Sequence, residues 1–314
     1  PDDLMRGHIN QLVARSLSHG YDLMDVLQIA CVNPVRHYNL NVGLLQPGDP
    51  ADMILVEDLG TFKVMSTWID GVDVFSNGIV NLPEVDIPVI NSFGIDPIES
   101  HDLQLHLKSA PAKIIVAVDG AIVTQQEEAS MAEGFFESDT SRDILKLVVI
   151  NRYSKAPPAI ALIKGFGLKS GAIASSVAHD SHNIIAVGTN DKDLAACINE
   201  VIKARGGLCA LGRMQGIPQS LETPTMASFK FNDMAYKSIC VPLPVAGLMS
   251  DSHDGETIGK LYSAADQVSK TWLGSTLTAP FMTLSFMAML VIPSLKLSDQ
   301  GLFDGQSFRF TSLQ

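Results

Sequence analysis

Five consecutive polar residues with acid–base and metal-binding capacity lie near the middle of the chain: His179, Asp180, Ser181, His182 and Asn183. Two apolar runs flank them, one before His179 and one after Asn183, and their length and β-branching predict buried strands. Such a frame would hold the polar side chains in fixed positions. The segment 179–183 is therefore the first candidate for a functional site.

A second polar group, Thr189, Asn190 and Asp191, follows Gly188, where the second apolar run ends and a helix is predicted to begin. Binding and catalytic groups often lie at such strand-to-helix edges, because irregular backbone exposes donors and acceptors there. Asp191 is therefore a candidate supporting residue for the same site.

Four interpretations of residues 179–183 remain open on the residues alone. A Ser/His/Asp nucleophile is one, but adjacent residues of an extended segment point to opposite faces and converge only through a special turn. A metal site using His179 and His182 would need further ligands from elsewhere. The side chains could instead satisfy backbone groups around a tight turn. The fourth interpretation is a substrate-facing or proton-relay role in a pocket completed by other segments.

Composition narrows the class of protein. The 314 residues suffice for about two domains, and 46% hydrophobic with 18% charged residues is an ordinary globular balance. A net charge of -12 and a pI near 5.0 argue against a nucleic-acid partner. The sequence contains no apolar run long enough to predict a membrane span. Four cysteines without a CxxC pair predict reduced thiols and a cytoplasmic location.

The first third of the chain predicts helices followed by a small β module. The chain opens at Pro1 with no Met and no signal-like stretch, which indicates the later part of a longer protein. Asp2 or Asp3 is the expected cap of a first helix, and Asp22 or Asp25 that of a second. The strands predicted next are 53–56, 64–69 and 72–75, with a hairpin turn at 70–71.

The remainder predicts an α/β domain. Prolines mark 83–112 as a linker with an edge strand, and the acidic segment 125–143 is expected to be a loop or an edge hairpin. Strands are predicted at 114–118, 121–123, 144–150 and 208–211. Helices are predicted at 191–205, capped by Asn190 or Thr189, and at 256–272.

Four strings closely resemble the C-terminal region of the bacterial adenine deaminase family: NRY (151–153), GFGLKSGAIASSVAHDSHNIIAVGTND, LPVAGLMS (243–250) and PFMTLSFMAMLVIPSLKLSDQGLFD. The segment 43–57 with its following hairpin resembles the exit of the catalytic barrel in the amidohydrolase superfamily. The resemblance implies a mixed α/β fold. Its expected parts are the last helices of a TIM-like amidohydrolase barrel (1–40), β-sandwich strands (41–82), the linker (83–112) and an α/β C-terminal adenine-deaminase domain (113–314).

What the resemblance implies about activity is a metal-dependent hydrolysis of adenine to hypoxanthine and ammonia, in purine salvage and adenine catabolism. The metal, manganese or iron, would lie in the barrel, with ligands expected upstream of Pro1, so none is assigned here. The resemblance further implies a homo-oligomer, a dimer, with no nucleic-acid or membrane partner. This chain alone is expected to be inactive.

The resemblance favours a functional interpretation of the polar segment. His179, Asp180 and His182 become candidate catalytic residues that line or gate the purine pocket, in their own subunit or a partner's. Ser181, Asn183 and Asp191 become candidate pocket or supporting residues. Two alternatives remain: an accessory or oligomerisation domain without activity, and an amidohydrolase acting on a different cyclic amidine.

Overall fold

The structure, a computed structural model, describes residues 3–5, 7–214 and 226–314. The predicted cap Asp2 and residues 215–225 lie outside this range. The chain divides into two compact units, Pro1–Asp86 and Ile87–Gln314, and the fold is mixed α/β as predicted. Among the residues described, no helix has the length and apolar character needed to cross a membrane.

The first unit begins with three helices, α1 (Ile9–Ser18), α2 (Leu23–Leu27) and α3 (Asn33–Tyr38). Asp22 caps α2 as predicted, because its carboxylate accepts from the backbone N–H groups of Met24 and Asp25. The predicted cap of the first helix near Asp3 is wrong. Asp3–Met5 forms a separate 3-10 turn, and Gly7 follows with φ +150°, which a right-handed helix cannot contain.

A four-stranded antiparallel sheet completes the first unit. Its strands follow one another in chain order: β1 (Met53–Val56), β2 (Val64–Ile69), β3 (Val72–Ser76) and β4 (Ile79–Val80). Asp70 and Gly71 both have positive φ, 49° and 78°, as a two-residue hairpin of primed type requires. Asp52 stabilises this turn by accepting from the backbone N–H of Asp70 at 2.8 Å. The predicted strands and hairpin are therefore confirmed.

A nine-stranded sheet forms the centre of the second unit. In chain order its strands are β6 (Pro111–Ala117), β7 (Thr124–Ser130), β9 (Leu145–Ile150), β10 (Ala159–Lys164), β11 (Ala172–Ser175), β12 (Ile184–Gly188), β13 (Gly207–Arg213), β14 (Ala227–Phe231) and β15 (Met234–Pro242). Their order across the sheet is β14-β15-β13-β11-β12-β9-β10-β6-β7. In the part of the chain that the structure describes, β6 and β10 are parallel and the other neighbouring pairs are antiparallel. The short strands β5 (His106–Leu107) and β8 (Gly134–Phe135) pair with each other.

One predicted strand of this unit, residues 121–123, is wrong. Gly120 has φ +71°, and the N–H of Ala121 donates to Val118 O, so the chain makes a turn there. Strand β7 starts only at Thr124. The first part of the acidic segment, residues 125–130, lies in β7 at the edge of the large sheet, in agreement with the predicted edge hairpin.

Both faces of the large sheet are covered. Helix α4 (Asp191–Lys203) packs on one face. The other face is covered by α5 (Gly255–Thr271), α6 (Pro280–Phe286) and a small sheet of β16 (Leu295–Ser298), β17 (Gly301–Asp304) and β18 (Arg309–Phe310). Ile173, Ile185 and Val187 face the α5–α6 side, whereas Ala172 and Ala174 face α4. Strands β9, β11 and β12 are buried along their whole length, which fixes the connections at their ends.

The start of α4 depends on Asn190, whose Oδ1 accepts from the N–H of Asp193 at 2.9 Å. Replacing Asn190 by Ala removes this cap, so we expect a loss of about 1 kcal/mol in the free energy of unfolding. Asn190→Ser retains an acceptor and should lose only part of that. Urea denaturation of wild type and both variants measures the free energies of unfolding. If Asn190→Ala is as stable as wild type, the cap contributes nothing.

Candidate functional site

The connection from β11 to β12 carries the predicted site residues. It closes through the N–H of His182, which donates to Ala178 O at 2.7 Å, and His182 has a left-handed φ of 53°. Asp180 and Ser181 are exposed, while the two histidines are partly buried. Asn183 is buried. The structure thus brings all five consecutive residues to one end of the sheet, with the two histidines at the boundary between core and solvent.

His179 is held by α6. Its backbone N–H donates to Ser285 O at 3.0 Å, and its Nδ1 lies 3.2 Å from Ser285 Oγ. The ring stacks on Phe286, with centroids 4.9 Å apart and planes inclined by 15°. Because Ser285 Oγ donates to Met282 O, it accepts from Nδ1–H of His179. A neutral ring then keeps Nε2 as an acceptor.

His182 lies beside His179, with ring centroids 6.2 Å apart. Its Nδ1 is buried and has no hydrogen-bond partner in the described part of the chain. Burial lowers the pKa of His182. A protonated His179 and the guanidinium of Arg152 lower this pKa further, against the opposing effect of Asp180. The ring is therefore neutral near pH 7. A neutral imidazole with an unpaired buried nitrogen can accept a proton or bind a polar ligand atom.

The connection between β9 and β10 supports this pair of histidines. Arg152 Nε donates to His182 O at 2.6 Å, and Tyr153 OH donates to Ser181 O at 2.9 Å. The backbone N–H of Arg152 donates to Asn183 Oδ1 at 3.3 Å. Asn183 therefore joins the β9–β10 connection to the β11–β12 connection. Sequence reasoning assigned no role to Arg152 or Tyr153. The string NRY within the family resemblance was the signal that could have found them.

The four strings that carried the resemblance meet here. Asn151 of NRY donates from Nδ2 to Asp299 Oδ2 of the last string at 2.8 Å. Arg152 donates to Ala246 O of LPVAGLMS at 2.7 Å, and Ser285 of the last string contacts His179. Segments that are far apart in sequence therefore build one site around residues 179–183, called the HDSHN segment below.

Asp191 lies elsewhere. It is the first residue of α4, at the far end of β12 from the histidines, and five residues of strand separate the two ends by about 16 Å. Its carboxylate pairs with Nζ of Lys146, whose side chain is 2% exposed and which also donates to Leu103 O. Burial lowers the pKa of Lys146 and raises that of Asp191. The structure does not bring Asp191 together with His179 or His182.

A cavity of about 150 Å³ borders the site. Phe286, the ring on which His179 stacks, lines it together with Asp119, Ile122 and Met282. A larger cleft of about 490 Å³, lined among others by Ile150 and Lys155, contains none of the predicted site residues. The smaller cavity is therefore connected to the site through Phe286, which it shares with the ring contact of His179.

A resident metal does not fit the side chains seen here. Within residues 3–5, 7–214 and 226–314, no three or more His, Cys, Asp or Glu side chains are grouped so that they could hold a metal ion. His179 and His182 contact each other, and His179 also contacts Ser285 and Phe286.

Lys296 of β16 anchors the helix beneath His179. It is fully buried, and its Nζ donates to Ile122 O at 2.7 Å and to Phe286 O at 3.0 Å, at the end of α6. Burial lowers the pKa of Lys296 to about 8. The folded chain thus releases this proton more readily than the unfolded chain does.

The lowered pKa of Lys296 predicts a pH-dependent stability. Between about pH 8 and about pH 10.4 the unfolded chain binds the extra proton, so unfolding becomes less favourable as pH rises. We expect wild type to gain roughly 3 kcal/mol relative to Lys296→Met across this window. Denaturant midpoints at about pH 7 and about pH 10 measure the gain, with Lys164→Met as the surface control. The same difference at both pH values would contradict a penalty from charge burial.

Two protein-family profiles match the chain. The profile of the amidohydrolase family matches residues 3–74, in the first unit. The profile of the adenine deaminase C-terminal domain matches residues 121–224 and 235–309, which include the HDSHN segment and most of the large sheet. The second match covers more than half of the chain and places it among proteins with an adenine deaminase C-terminal domain.

Individual relatives extend the match to nearly the whole chain. The chain is 42% identical over 313 residues to the adenine deaminase of Salinibacter ruber, 99% of this chain and 53% of the relative. It is 46% identical over 310 residues to that of Sulfurovum sp., again 99% and 53%. For Methanosarcina barkeri the identity is 42% over 324 residues, 100% of this chain and 54% of the relative. The chain belongs to the adenine deaminase family, and it spans about half the length of the curated relatives it matches.

Proposed function

We propose that the chain is part of a metal-dependent adenine deaminase that hydrolyses adenine to hypoxanthine and ammonia. The observation that carries the proposal is the match to relatives named adenine deaminase over nearly the whole chain. The convergence of four family strings on one histidine-containing site supports it. In this reaction water adds to the ring carbon that bears the amino group, and ammonia leaves.

The metal, manganese or iron, would be bound by residues in the part of the protein that this chain does not span. A bound metal of this kind lowers the pKa of a water molecule and so supplies the hydroxide nucleophile. The described residues hold no such ligand group, so their contribution is a different one.

The contribution we assign to this chain is a wall or gate of the purine pocket. His182 presents a buried, unpaired Nδ1, and Nε2 of His179 is the ring nitrogen that the contact between Nδ1 and Ser285 Oγ leaves available. A purine offers both N–H donors and ring-nitrogen acceptors to such groups. Asp180 and Ser181 lie at the exposed rim, while Asn183 supports the backbone. In a homodimer these residues would close over the pocket of their own subunit or of the partner.

The test uses the whole protein, of which this chain is a part. Ammonia release from adenine should require manganese or iron, and guanine, cytosine and hydantoins should be turned over far more slowly. Preference for one of those rings would favour a different cyclic-amidine amidohydrolase. No turnover of any of them by the metal-loaded protein would refute the proposal and favour an accessory or oligomerisation role.

A further inference from the structure

Arg152 is buried, with 3% of its surface exposed, and its guanidinium is surrounded on all sides. A guanidinium has five N–H donors. Each one reaches an acceptor within 3.1 Å: His182 O, Asn91 Oδ1, Ser92 O, Tyr153 OH and Ala246 O. Four separate segments of the second unit are therefore joined through one side chain.

The acceptors around Arg152 are neutral oxygens. Taking a cation out of water without a counter-charge costs several kcal/mol, and hydrogen bonds to neutral groups offset this only in part. No neutral side chain offers five N–H donors, so the planar fork joins segments that a neutral group could not join. The same side chain also brings a positive charge close to His182.

Two effects of Arg152 act on His182. Its Nε fixes the carbonyl of His182 at 2.6 Å, and its charge disfavours protonation of the neighbouring ring. On the β11–β12 connection, a protonated His179 also disfavours protonation of His182, whereas Asp180 favours it. Tyr153 is the remaining titratable residue of the β9–β10 connection close to His182, through Ser181 O. Helix α6 and the segment 244–249 carry no titratable residue.

Close approach of the guanidinium depends on Gly247. This residue has φ +73°, and a Cβ there would lie 2.9 Å from Nη1 of Arg152. The LPVAGLMS string thus leaves room for Arg152 to reach Ala246 O.

We propose that Arg152 is a positioning residue for the deamination, which fixes the peptide of His182 and thereby the place of its imidazole in the site. The inference rests on the proposed function, and it assigns Arg152 no contact with the substrate.

The experiment compares Arg152→Gln and Arg152→Lys in the whole, metal-loaded protein, with adenine as substrate and Arg142→Gln, an exposed arginine, as matched control. Arg152→Gln removes the charge, so the acidic limb of kcat/KM should move to higher pH. Arg152→Lys keeps the positive charge but loses the planar guanidinium and its five N–H donors. The acidic limb of the kcat/KM profile should therefore stay at the same pH, while kcat falls. We expect kcat to fall on the order of ten- to a hundredfold in both, with a smaller change in KM.

Unchanged kcat and pH profile in folded Arg152 variants would overturn the proposal, as would a loss of thermal stability alone. If neither variant folds, Tyr153→Phe decides. It removes one acceptor of Arg152 and the donor to Ser181 O, and kcat should fall with little change in KM, whereas an unchanged kcat overturns the proposal. An inactive wild type would count against the proposed function and not against the positioning role.

Discussion

With the proposed function, His182→Asn should lower kcat for adenine by about a hundredfold or more in the whole protein, as expected when a positioned acid or base is removed. Asn tolerates the left-handed backbone that residue 182 adopts, at φ 53°. The substitution therefore removes the ring while preserving the turn. Arg152 can still donate to the carbonyl at position 182, because that bond uses main-chain oxygen. The loss should appear mainly in kcat.

The control for His182→Asn is His106→Asn, which removes an exposed histidine that contacts Phe135. Steady-state kinetics and thermal melting of both variants separate chemistry from folding. Wild-type kinetics in His182→Asn, together with a lower melting temperature, would make the HDSHN segment a structural polar cluster.

Asp191→Asn should lower the free energy of unfolding by about 3–5 kcal/mol, the usual cost of leaving a buried charge without its partner. The variant keeps a polar group of the same shape but leaves the ammonium of Lys146 without its counter-charge, in a site where its side chain is 2% exposed. Lys146→Met should cost less, because the Asp191 side chain is 25% exposed and can reach water. Urea denaturation of the whole chain, followed through the transition of the second unit, measures the loss in free energy of unfolding for each variant.

The double variant Lys146→Met with Asp191→Leu is the control for this ion pair. Replacing both charges by apolar groups should restore most of the stability lost in Asp191→Asn. The kcat of the Asp191→Asn variant with adenine should also be measured, because Asp191 was a candidate supporting residue of the purine pocket. A large fall in kcat at unchanged stability would contradict the structural role and favour the pocket.

The sequence predicted the regular elements well where their signals are local. The Asp70–Gly71 hairpin and the cap at Asn190 follow from turn and capping chemistry that involves neighbouring residues. The false strand at 121–123 shows the limit, since three apolar residues satisfied the pattern while Gly120 turned the chain.

Contacts between distant segments account for what the sequence could not predict in the site. The HDSHN residues were identified by residue type, yet nothing in their spacing indicates the ring of Phe286 beneath His179. Arg152 and Lys146 were missed because the residues next to a basic side chain do not specify its partners elsewhere in the fold. Their partners lie 30 and 45 residues away along the chain.

The wide separation of the segments around the histidines also bears on how the chain folds. The bonds that complete the site join residues 30, 94, 106 and 148 positions apart, and contacts of such separation must overcome a large loop-closure entropy before they form. We therefore expect them to be absent from the folding transition state. Substitutions at Arg152 or Ser285 would then accelerate unfolding and leave the refolding rate nearly unchanged. The lifetime of the native state, rather than the speed of reaching it, is what this site determines.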